Sequence, residues 1–346
     1  MSARESILPL FVPHWGCPWH CVFCNQNRIS GAEHTATAAD IDKIIEEAAA
    51  LPRHGAERQL AFYGGSFTAI PVQQQETLLA AARAQIDAGA IDSIRLSTRP
   101  DAIDETVLER LRRYGVETVE LGAQSMDDEV LLLSGRGHTA AQVENASRQV
   151  KAAGFQLILQ MMTGLPGADD ETDIETARRL IALRPDGVRI YPTVIVRDTA
   201  LYELWRRGEY REHTVEDAVR VCAQIVPLFD AAGIPVIRLG LNPTEELSAG
   251  AAVAGAYHPA LGELVRSRIL LEQARQLLHG VEKGSAVTLS VPPALLSQMI
   301  GQHRRNLEQL MREFSLSDLR VRPNSGKNGE IRVLSVKYIS SDRRIC

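Results

Sequence analysis

The sequence predicts an α/β protein, a partial TIM-like (β/α)6 barrel followed by a small C-terminal α+β domain. From residue 7 to about 241, short apolar runs alternate with longer segments in which apolar residues recur every three or four positions. After about residue 250 this alternation stops and a shorter mixed pattern follows. Because strand–helix–strand units form right-handed crossovers, the long alternation predicts a parallel sheet covered by helices.

Seven apolar runs are strand candidates, and helical periodicity separates them. Ile41, Ile44, Ile45 and Ala48 form one helical face of this kind. The predicted strands are Ile7–Val12, Gln59–Tyr63, Ser93–Ser97, Thr118–Gly122, Phe155–Met162, Gly187–Val194 and Pro235–Leu239. In barrels of this type the chemistry lies at the carboxyl ends of the strands, which is where the glycine-rich and polar motifs of this chain fall.

We divide the chain into a barrel over residues 1–250, a helical connector over 251–280 and a small basic domain over 281–346. The connector contains one predicted helix over residues 258–279. The last domain should contain strand Ala286–Val291, helix Ala294–Ile300, helix Asn306–Phe314, strand Leu319–Arg322 and strand Ile331–Tyr338, with a turn over Asn324–Gly329.

Composition predicts a soluble, cytoplasmic protein. No run of about 18 uncharged apolar residues exists, and the N-terminus lacks a signal-peptide pattern. The net charge is −5, which argues against a protein that coats nucleic acid. Residues 280–346 nevertheless hold 11 Lys and Arg against 6 Asp and Glu. This basic tail favours an anionic partner, with a merely solvated basic surface as the alternative.

Three of the five cysteines lie within eight residues, in the loop after the first predicted strand. Cys17, Cys21 and Cys24 can turn three thiolates towards one point. Three thiolates would leave one iron of a cubane cluster open, unlike the four-cysteine sites of ferredoxins. A zinc site that includes His14 or His20 is the alternative, although no second Cys or His pair has zinc spacing.

The spacing of these cysteines resembles the signature of the radical S-adenosylmethionine (SAM) superfamily. The resemblance implies a 4Fe–4S cluster on the three cysteines, with SAM on the open iron, cleaved to a 5′-deoxyadenosyl radical. It implies that Phe23 lies near the adenine. The segment Gly64-Gly65-Ser66 resembles the glycine motif that receives the amino group of the cofactor, because glycines let a ligand approach the backbone.

Further cofactor contacts are expected at the ends of the third to fifth strands. Gln124 and Arg136 match the pattern of oxygen-independent coproporphyrinogen oxidases, in which a Gln and an Arg at this separation grip the cofactor. Ser97 could reach the ribose or carboxylate; the alternative is a helix cap with Arg99 solvated. The remaining candidates are Gln160 and Met162, the latter as an adenine-facing wall.

Longer segments resemble the catalytic subunit of Elongator, whose family modifies wobble uridine of tRNA. They are Val119–His138, Arg189–Trp205 and Tyr257–Pro259. No glycine-rich acetyl-CoA loop follows residue 250, so we expect a short bacterial-type relative that lacks the acetyltransferase domain.

The tail resembles a KH module, in which a Gly-x-x-Gly loop clamps nucleic-acid backbone. Gly301 is present, and Arg304 replaces the second glycine. RNA contact through Gly301, Arg304, Arg305 and Lys327 is therefore a hypothesis, with a KH-like lid that binds no nucleic acid as its alternative.

Three functions stay open from the sequence. The first is a radical SAM enzyme that acts on tRNA or another RNA and takes its electron from an unidentified flavodoxin-like or ferredoxin-like donor. The second is tetrapyrrole chemistry as in coproporphyrinogen oxidases, or a haem-handling relative. The third is a non-catalytic iron–sulfur protein that binds RNA; a nucleotide pocket argues against this third function, because an electron carrier does not need one.

Overall fold

The computed structural model describes residues 5–12, 21–25, 36–53, 55–242, 247–324 and 331–337. Cys17, Lys327, His14, His20 and most of the predicted turn after Asn324 lie outside these residues. Contacts divide the chain into two units. The first unit is Met1–Val221 with Leu228–Pro259, and the second unit is Cys222–Pro227 with Ala260–Cys346.

The first unit contains a seven-stranded parallel sheet whose strands follow one another in chain order. They are β1 Glu5–Val12, β2 Glu57–Gly64, β3 Ser93–Thr98, β4 Val116–Gln124, β5 Gln156–Thr163, β6 Gly187–Pro192 and β8 Val236–Leu239. The strands β1 and β8 each pair with one neighbour in the described chain, so the sheet is open at both edges. The predicted α/β fold with a partial barrel is confirmed.

One predicted strand is in fact two. Residues Gly187–Val194 were expected to form a single strand, but β6 ends at Pro192, and β7, Val194–Val196, pairs antiparallel with β9, Ala252–Gly255. Proline has no amide hydrogen with which to extend a ladder. At the break, Thr193 donates from its backbone and its hydroxyl to the carbonyl of Thr163, which fixes the corner.

Eight helices of the described chain connect these strands or follow them. They are α1 Ala38–Ala49, α2 Val72–Asp87, α3 Glu105–Arg113, α4 Asp128–Leu133, α5 Ala140–Ala152, α6 Asp170–Ala182, α7 Ala200–Arg206 and α8 Val215–Ala231. Side-chain caps fix several of their starts. Thr139 forms a capping box with Gln142 at the start of α5, and the Asp104 side chain accepts from the amide of Val107 in α3.

The sheet has one apolar face and one polar face, because successive side chains of a strand point to opposite sides. In β4, Val119, Leu121 and Ala123 are fully buried and lie on the apolar face. Glu120 and Gln124 lie on the opposite face. The neighbouring strands continue this polar face with Tyr63, Arg95, Ser97, Gln160, Met162, Arg189, Tyr191 and Arg238.

The second unit has the predicted α+β composition. Its elements are α9 Leu261–Leu278, β10 Ala286–Val291, α10 Leu296–Ile300, α11 Arg305–Glu313, β11 Asp318–Pro323 and β12 Arg332–Lys337. The central strand β10 runs parallel to β11 and antiparallel to β12. Its core contains Leu289 and Leu310, both fully buried. No helix in the described parts of either unit is long and apolar enough to cross a membrane.

Candidate cofactor and nucleic-acid sites

Two of the three predicted cluster cysteines lie in a tight turn beside the carboxyl end of the sheet. The amide of Cys24 donates to the carbonyl of Cys21 at 3.0 Å, and both thiols are half-buried and not joined in a disulfide. Val22, between them, donates to the carbonyl of Ser134 and accepts from the amide of Leu201. The turn is therefore held by two other elements of the first unit.

Arg136 lies between this turn and β4. Its Nη1 donates to Cys21 Sγ at 3.3 Å, and its Nη2 donates to the carbonyl of Gly122 at 2.7 Å. A Cβ on Gly122 would lie 2.9 Å from Gln124 Nε2 and 3.3 Å from Arg136 Nη2. Gly122, which we did not single out from the sequence, is thus what lets the two predicted cofactor ligands come together.

Gln124 has a left-handed backbone, with φ of 67°. Residues other than glycine rarely adopt this conformation, and such strain is concentrated at functional sites. The Gln124 Oε1 accepts from Gln160 Nε2 at 3.3 Å, so a third predicted residue joins the same group. The three polar side chains Gln124, Arg136 and Gln160 therefore form one cluster at the ends of β4 and β5.

A second arginine, Arg99, is hydrogen-bonded to the backbone of Arg136. Arg99 is 2% exposed, forms an ion pair with Asp101 at 2.9 Å, and donates to the carbonyl of Arg136. The alternative of a solvated Arg99 is therefore wrong. The sequence offered one signal that could have revealed the contact, since an aspartate two residues after an arginine can pair with it, but the Arg136 carbonyl is distant in sequence.

His138 packs behind the same cluster and is uncharged. Burial, together with the Arg136 charge, lowers its pKa to about 3. Its Nε2 lies 3.1 Å from the carbonyl of Ala123, and a neutral ring with the proton on Nε2 can donate to that oxygen. A neutral histidine adds no second positive charge beside Arg136.

The predicted adenine wall forms an apolar cluster. Met162 and Leu165 are buried in it, and Phe23 and Tyr191 pack against them. The structure therefore brings together Phe23 and Met162, which we predicted independently from two separate motifs. Because Phe23 directly precedes Cys24, this cluster also adjoins the cysteine turn.

The glycine motif lies at the end of β2, where Gly64 has φ of 97°. Gly64 and Gly65 are half-exposed, whereas Ser66 is buried and opens a short 3-10 turn. The following Thr68 hydroxyl lies 2.6 Å from the Thr98 hydroxyl and 2.6 Å from the carbonyl of Ala102. A half-exposed glycine with positive φ suits the close approach of a ligand to the backbone.

Ser97 is half-buried on β3, next to β2. Its hydroxyl lies 3.4 Å from the carbonyl of Phe62. This contact directs the hydroxyl towards its own sheet.

The loop after β5 borders a cavity of about 750 Å³ in the first unit. Gly164 in this loop donates to Asp173 Oδ2 at 2.9 Å and accepts from the Tyr210 hydroxyl at 2.6 Å. A Cβ on Gly164 would lie 2.1 Å from His213 Cγ, so the imidazole covers this glycine directly. Leu165, the next residue, belongs to the cluster around Phe23, which links the cavity wall to the cofactor candidates.

In the second unit, the predicted nucleic-acid residues lie on the loop that joins α10 and α11. We call residues 301–305 the KH-like loop. Gly301, His303 and Arg304 all have positive φ, of 74°, 51° and 63°. The buried Asn306 side chain holds the loop, because its Nδ2 lies 3.0 Å from Ser267 Oγ and 3.2 Å from the carbonyl of Met299. Gln302 to Arg305 are exposed.

The residues at the cysteine turn fit an iron–sulfur cluster and a nucleotide. The half-buried thiols of Cys21 and Cys24 are soft ligands of the type that holds iron–sulfur clusters. The buried Nε of Arg136 has no hydrogen-bond partner in the described part of the chain, although Nη1 and Nη2 are both engaged. An unpaired donor beside polar side chains and a glycine turn is what a polar ligand would complete.

Comparison with known proteins decides the family. The sequence profile of the Radical SAM superfamily matches residues 12–180, and that of the Radical_SAM C-terminal domain matches residues 185–270. The chain belongs to the radical SAM superfamily. It is therefore an enzyme, and the cofactors of this superfamily are a 4Fe–4S cluster and SAM.

This radical SAM protein is similar over part of its length to curated proteins of two names. It is 37% identical over 138 residues to Elongator complex protein 3 of Homo sapiens, which is 39% of this chain and 25% of the human protein. It is 29% identical over 183 residues to the tRNA uridine(34) acetyltransferase of Methanocaldococcus jannaschii, covering 47% of this chain and 34% of that protein. The chain thus spans about a third or less of these relatives.

The fold of the radical SAM protein matches that of a solved relative. The archaeal Elp3 of Methanocaldococcus infernus superposes with a TM-score of 0.60 at 21% identity, covering 82% of this chain and 67% of that one. At this identity the match establishes the fold.

Proposed function

We propose that this radical SAM enzyme acts on a tRNA, and that the KH-like loop of its second unit contacts the RNA backbone. The observation that carries the proposal is the loop itself. It is short, exposed and held in a left-handed conformation, and it ends in the adjacent cations Arg304 and Arg305. A loop of this form between two helices is the backbone clamp of KH modules.

The anchoring of the loop supports a binding role. Left-handed conformations at His303 and Arg304 cost free energy, which the Asn306 contacts offset by fixing the loop to α9 through Ser267. A preorganised loop loses little entropy when a ligand binds. The positive balance of residues 280–346 favours an anionic partner of this kind. The name of the archaeal relative, a tRNA uridine(34) acetyltransferase, points to the same substrate class.

We assign the cofactor roles as follows. Cys21 and Cys24, with Cys17, hold the cluster, and Phe23 and Met162 cover the adenine. Gly64 and Gly65, with Ser66 of the same motif, receive the amino group of SAM. Ser97 contacts its ribose or carboxylate. Gln124, Gln160 and Arg136 bind its ribose and carboxylate, for which a guanidinium and two amides provide suitable donors and acceptors.

When bound, a cluster on Cys21 and Cys24 with Cys17, together with SAM, would supply one-electron radical chemistry at the substrate. The protein side chains position the reactants and exclude water. The Phe23 and Met162 cluster provides an apolar wall, and Arg136 neutralises negative charge next to Cys21. The neutral His138 behind Arg136 preserves that charge balance over the physiological pH range.

The chemistry is tested by anaerobic reconstitution with iron and sulfide. We expect a cubane absorption spectrum and release of 5′-deoxyadenosine after addition of dithionite and SAM. Serine variants of Cys21 and Cys24 should lose both signals, whereas Cys222→Ser, at a cysteine buried elsewhere, should retain them. A cubane spectrum that ignores added SAM would contradict the cofactor assignment.

The RNA proposal needs its own experiment. We expect tRNA binding that weakens with salt, and an Arg304→Ala/Arg305→Ala variant that binds at least tenfold more weakly with a shallower salt dependence. The matched control is Arg312→Ala/Arg320→Ala, which removes two exposed positive charges from the same unit. Equal loss in both variants would indicate nonspecific attraction. Undetectable tRNA binding would overturn the RNA proposal and leave the radical chemistry intact.

A further inference from the structure

Four charged side chains and one tyrosine lie on the polar face of the sheet, next to the cofactor candidates. We call Tyr63, Arg95, Glu120, Arg189 and Arg238 the arginine layer. They come from β2, β3, β4, β6 and β8, so every strand of the described sheet except β1 and β5 contributes one residue. None of them was a site candidate from the sequence.

Glu120 is the carboxylate at the centre of this layer, and its acceptor capacity is filled. Its Oε1 accepts from the Tyr63 hydroxyl at 2.8 Å, from Arg189 Nη2 at 3.0 Å and from Arg95 Nη1 at 3.2 Å. Its Oε2 accepts from Arg189 Nε at 2.8 Å. Because Glu120 is only 3% exposed, its carboxylate cannot pair with a further cation from solvent.

Arg189 has donor capacity left after this pairing. Its Nε and Nη2 face Glu120, and Nη2 also donates to the Tyr63 hydroxyl at 2.8 Å. A guanidinium has five N–H donors in a planar fork. The Nη1 edge therefore points away from Glu120. The Arg189 charge acts on the Tyr191 hydroxyl, where it opposes the rise in pKa that burial causes, and this hydroxyl can donate to an anion.

Arg238 brings a second positive charge to the same place. The register pairs Arg189 with Arg238 on adjacent parallel strands, whose spacing is about 4.8 Å. Arg238 is half-buried, and its Nε donates to the carbonyl of Gly240 at 3.3 Å. Within the described chain, no carboxylate lies within 4.0 Å of it. Like charges at neighbouring strand positions repel each other, so this pair is destabilising by itself.

The pair is connected to the cofactor candidates through Tyr191. The hydroxyl of Tyr191 lies in the field of both Arg189 and Arg238, whereas its ring packs in the cluster with Phe23 and Met162. Gln160, which contacts Gln124, is also the strand neighbour of Arg189. A group bound by the two arginines would therefore lie next to the cofactor candidates, on the polar face of the same sheet.

We propose that Arg189, Arg238 and the Tyr191 hydroxyl bind a phosphate group of the substrate. Two guanidinium groups and one hydroxyl match a tetrahedral anion with several acceptor oxygens, and an anion would remove the repulsion between the two arginines. A carboxylate shares part of this chemistry, and the choice of phosphate rests on the RNA substrate proposed above.

The test uses anaerobically reconstituted enzyme and inorganic phosphate as the probe. With the cluster reduced, and therefore paramagnetic, bound phosphate should show broadened ³¹P resonances that saturate with protein concentration. Arg238→Gln should weaken phosphate binding about tenfold or more, because a charge-assisted bond is lost. Arg238→Lys should retain part of the affinity. The control Arg148→Gln, an exposed arginine of α5, should leave it unchanged.

The outcomes separate this proposal from its alternatives. Equal phosphate affinity in the wild type and in Arg238→Gln would overturn it, provided that the variant keeps its cubane spectrum and SAM binding. Acetate should compete weakly with phosphate for the site. If acetate binds more tightly than phosphate, the arginines bind a carboxylate and the phosphate assignment is overturned. Arg238-dependent phosphate binding without any tRNA binding would support the anion site while the RNA proposal fails.

Discussion

Replacing Asp173 with Asn tests how the loop after β5 is held. Asp173 is 4% exposed and accepts from the amide of Gly164. Burial raises the pKa of its carboxyl from 3.8 to about 7; the Gly164 amide opposes the rise and the Asp169 charge adds to it. The folded protein therefore binds a proton at Asp173 at a pH where the unfolded chain has lost it.

Proton binding at Asp173 sets the direction in which stability changes with pH. Between pH 5.5 and 8 the unfolded carboxyl is ionised throughout, whereas the folded carboxyl passes from protonated to ionised. Because the folded state binds more protons at the lower pH, the free energy of unfolding falls as pH rises. With the folded pKa at about 7, the loss over this range is roughly 2 kcal/mol. Most of it occurs below pH 7.

Two buried histidines change the free energy of unfolding with pH in the opposite direction to Asp173. Their contribution must be removed by comparison with a variant. Burial lowers the pKa of both His138 and His213, so the unfolded state gains protons below about pH 6.5 and the folded state does not. The wild-type profile therefore combines opposing effects. Both histidines are also present in Asp173→Asn, so the difference between the two proteins isolates the carboxyl.

The assay is guanidinium unfolding of cluster-free protein at several pH values, followed by tryptophan fluorescence. Trp205 lies in α7 of the first unit, so its fluorescence reports on the unit that contains Asp173, whereas Trp15 and Trp19 lie outside the described residues. Relative to the wild type, Asp173→Asn should gain roughly 2 kcal/mol between pH 5.5 and 8. Glu175→Gln, at an exposed position of the same helix, should show no such trend. A constant difference between wild type and Asp173→Asn would refute the reasoning.

Three further predictions concern the cofactor candidates. Gly122→Ala should weaken SAM binding about tenfold in calorimetry, because its Cβ would lie 2.9 Å from Gln124 Nε2; unchanged affinity would show that the close approach is not needed. Arg136→Lys should lower the reduction potential of the cluster in a redox titration followed by electron paramagnetic resonance, since a donor to Cys21 Sγ is lost; an unaltered potential would contradict the contact. His138 should stay neutral with its proton on Nε2 from pH 5 to 8, as ¹⁵N chemical shifts can measure; titration near pH 6.5 would be inconsistent with its burial.

The sheet was predictable from the sequence because its determinants are local. Strand-length apolar runs and helical periodicity between them are visible in short windows, so all seven parallel strands were found. The exception is the predicted strand Gly187–Val194, which the structure divides into β6 and β7. The split between β6 and β7 depends on Thr193 donating to the carbonyl of Thr163, thirty residues earlier, which no local pattern contains.

The candidate site was predictable only where a motif carries it. The cysteines, the glycines and the Gln124–Arg136 pair have characteristic spacings. No motif marks the burial of Arg99, because this side chain contacts the carbonyl of Arg136, 37 residues away. The arginine layer is still less visible: Glu120 and Arg189 are separated by 69 positions, and each alone resembles an ordinary charged residue on a strand.

Parallel sheets are usually covered by apolar packing on both faces. This sheet keeps an apolar face and a polar one, and the polar face is satisfied unevenly. In the arginine layer, Glu120 is fully engaged, whereas at the carboxyl ends of the strands the buried Arg136 Nε has no partner in the described chain. A buried donor left unpaired costs about 1–3 kcal/mol. Such a cost is understandable if a ligand completes the site, so the unpaired Arg136 Nε supports the proposed cofactor site at the strand ends.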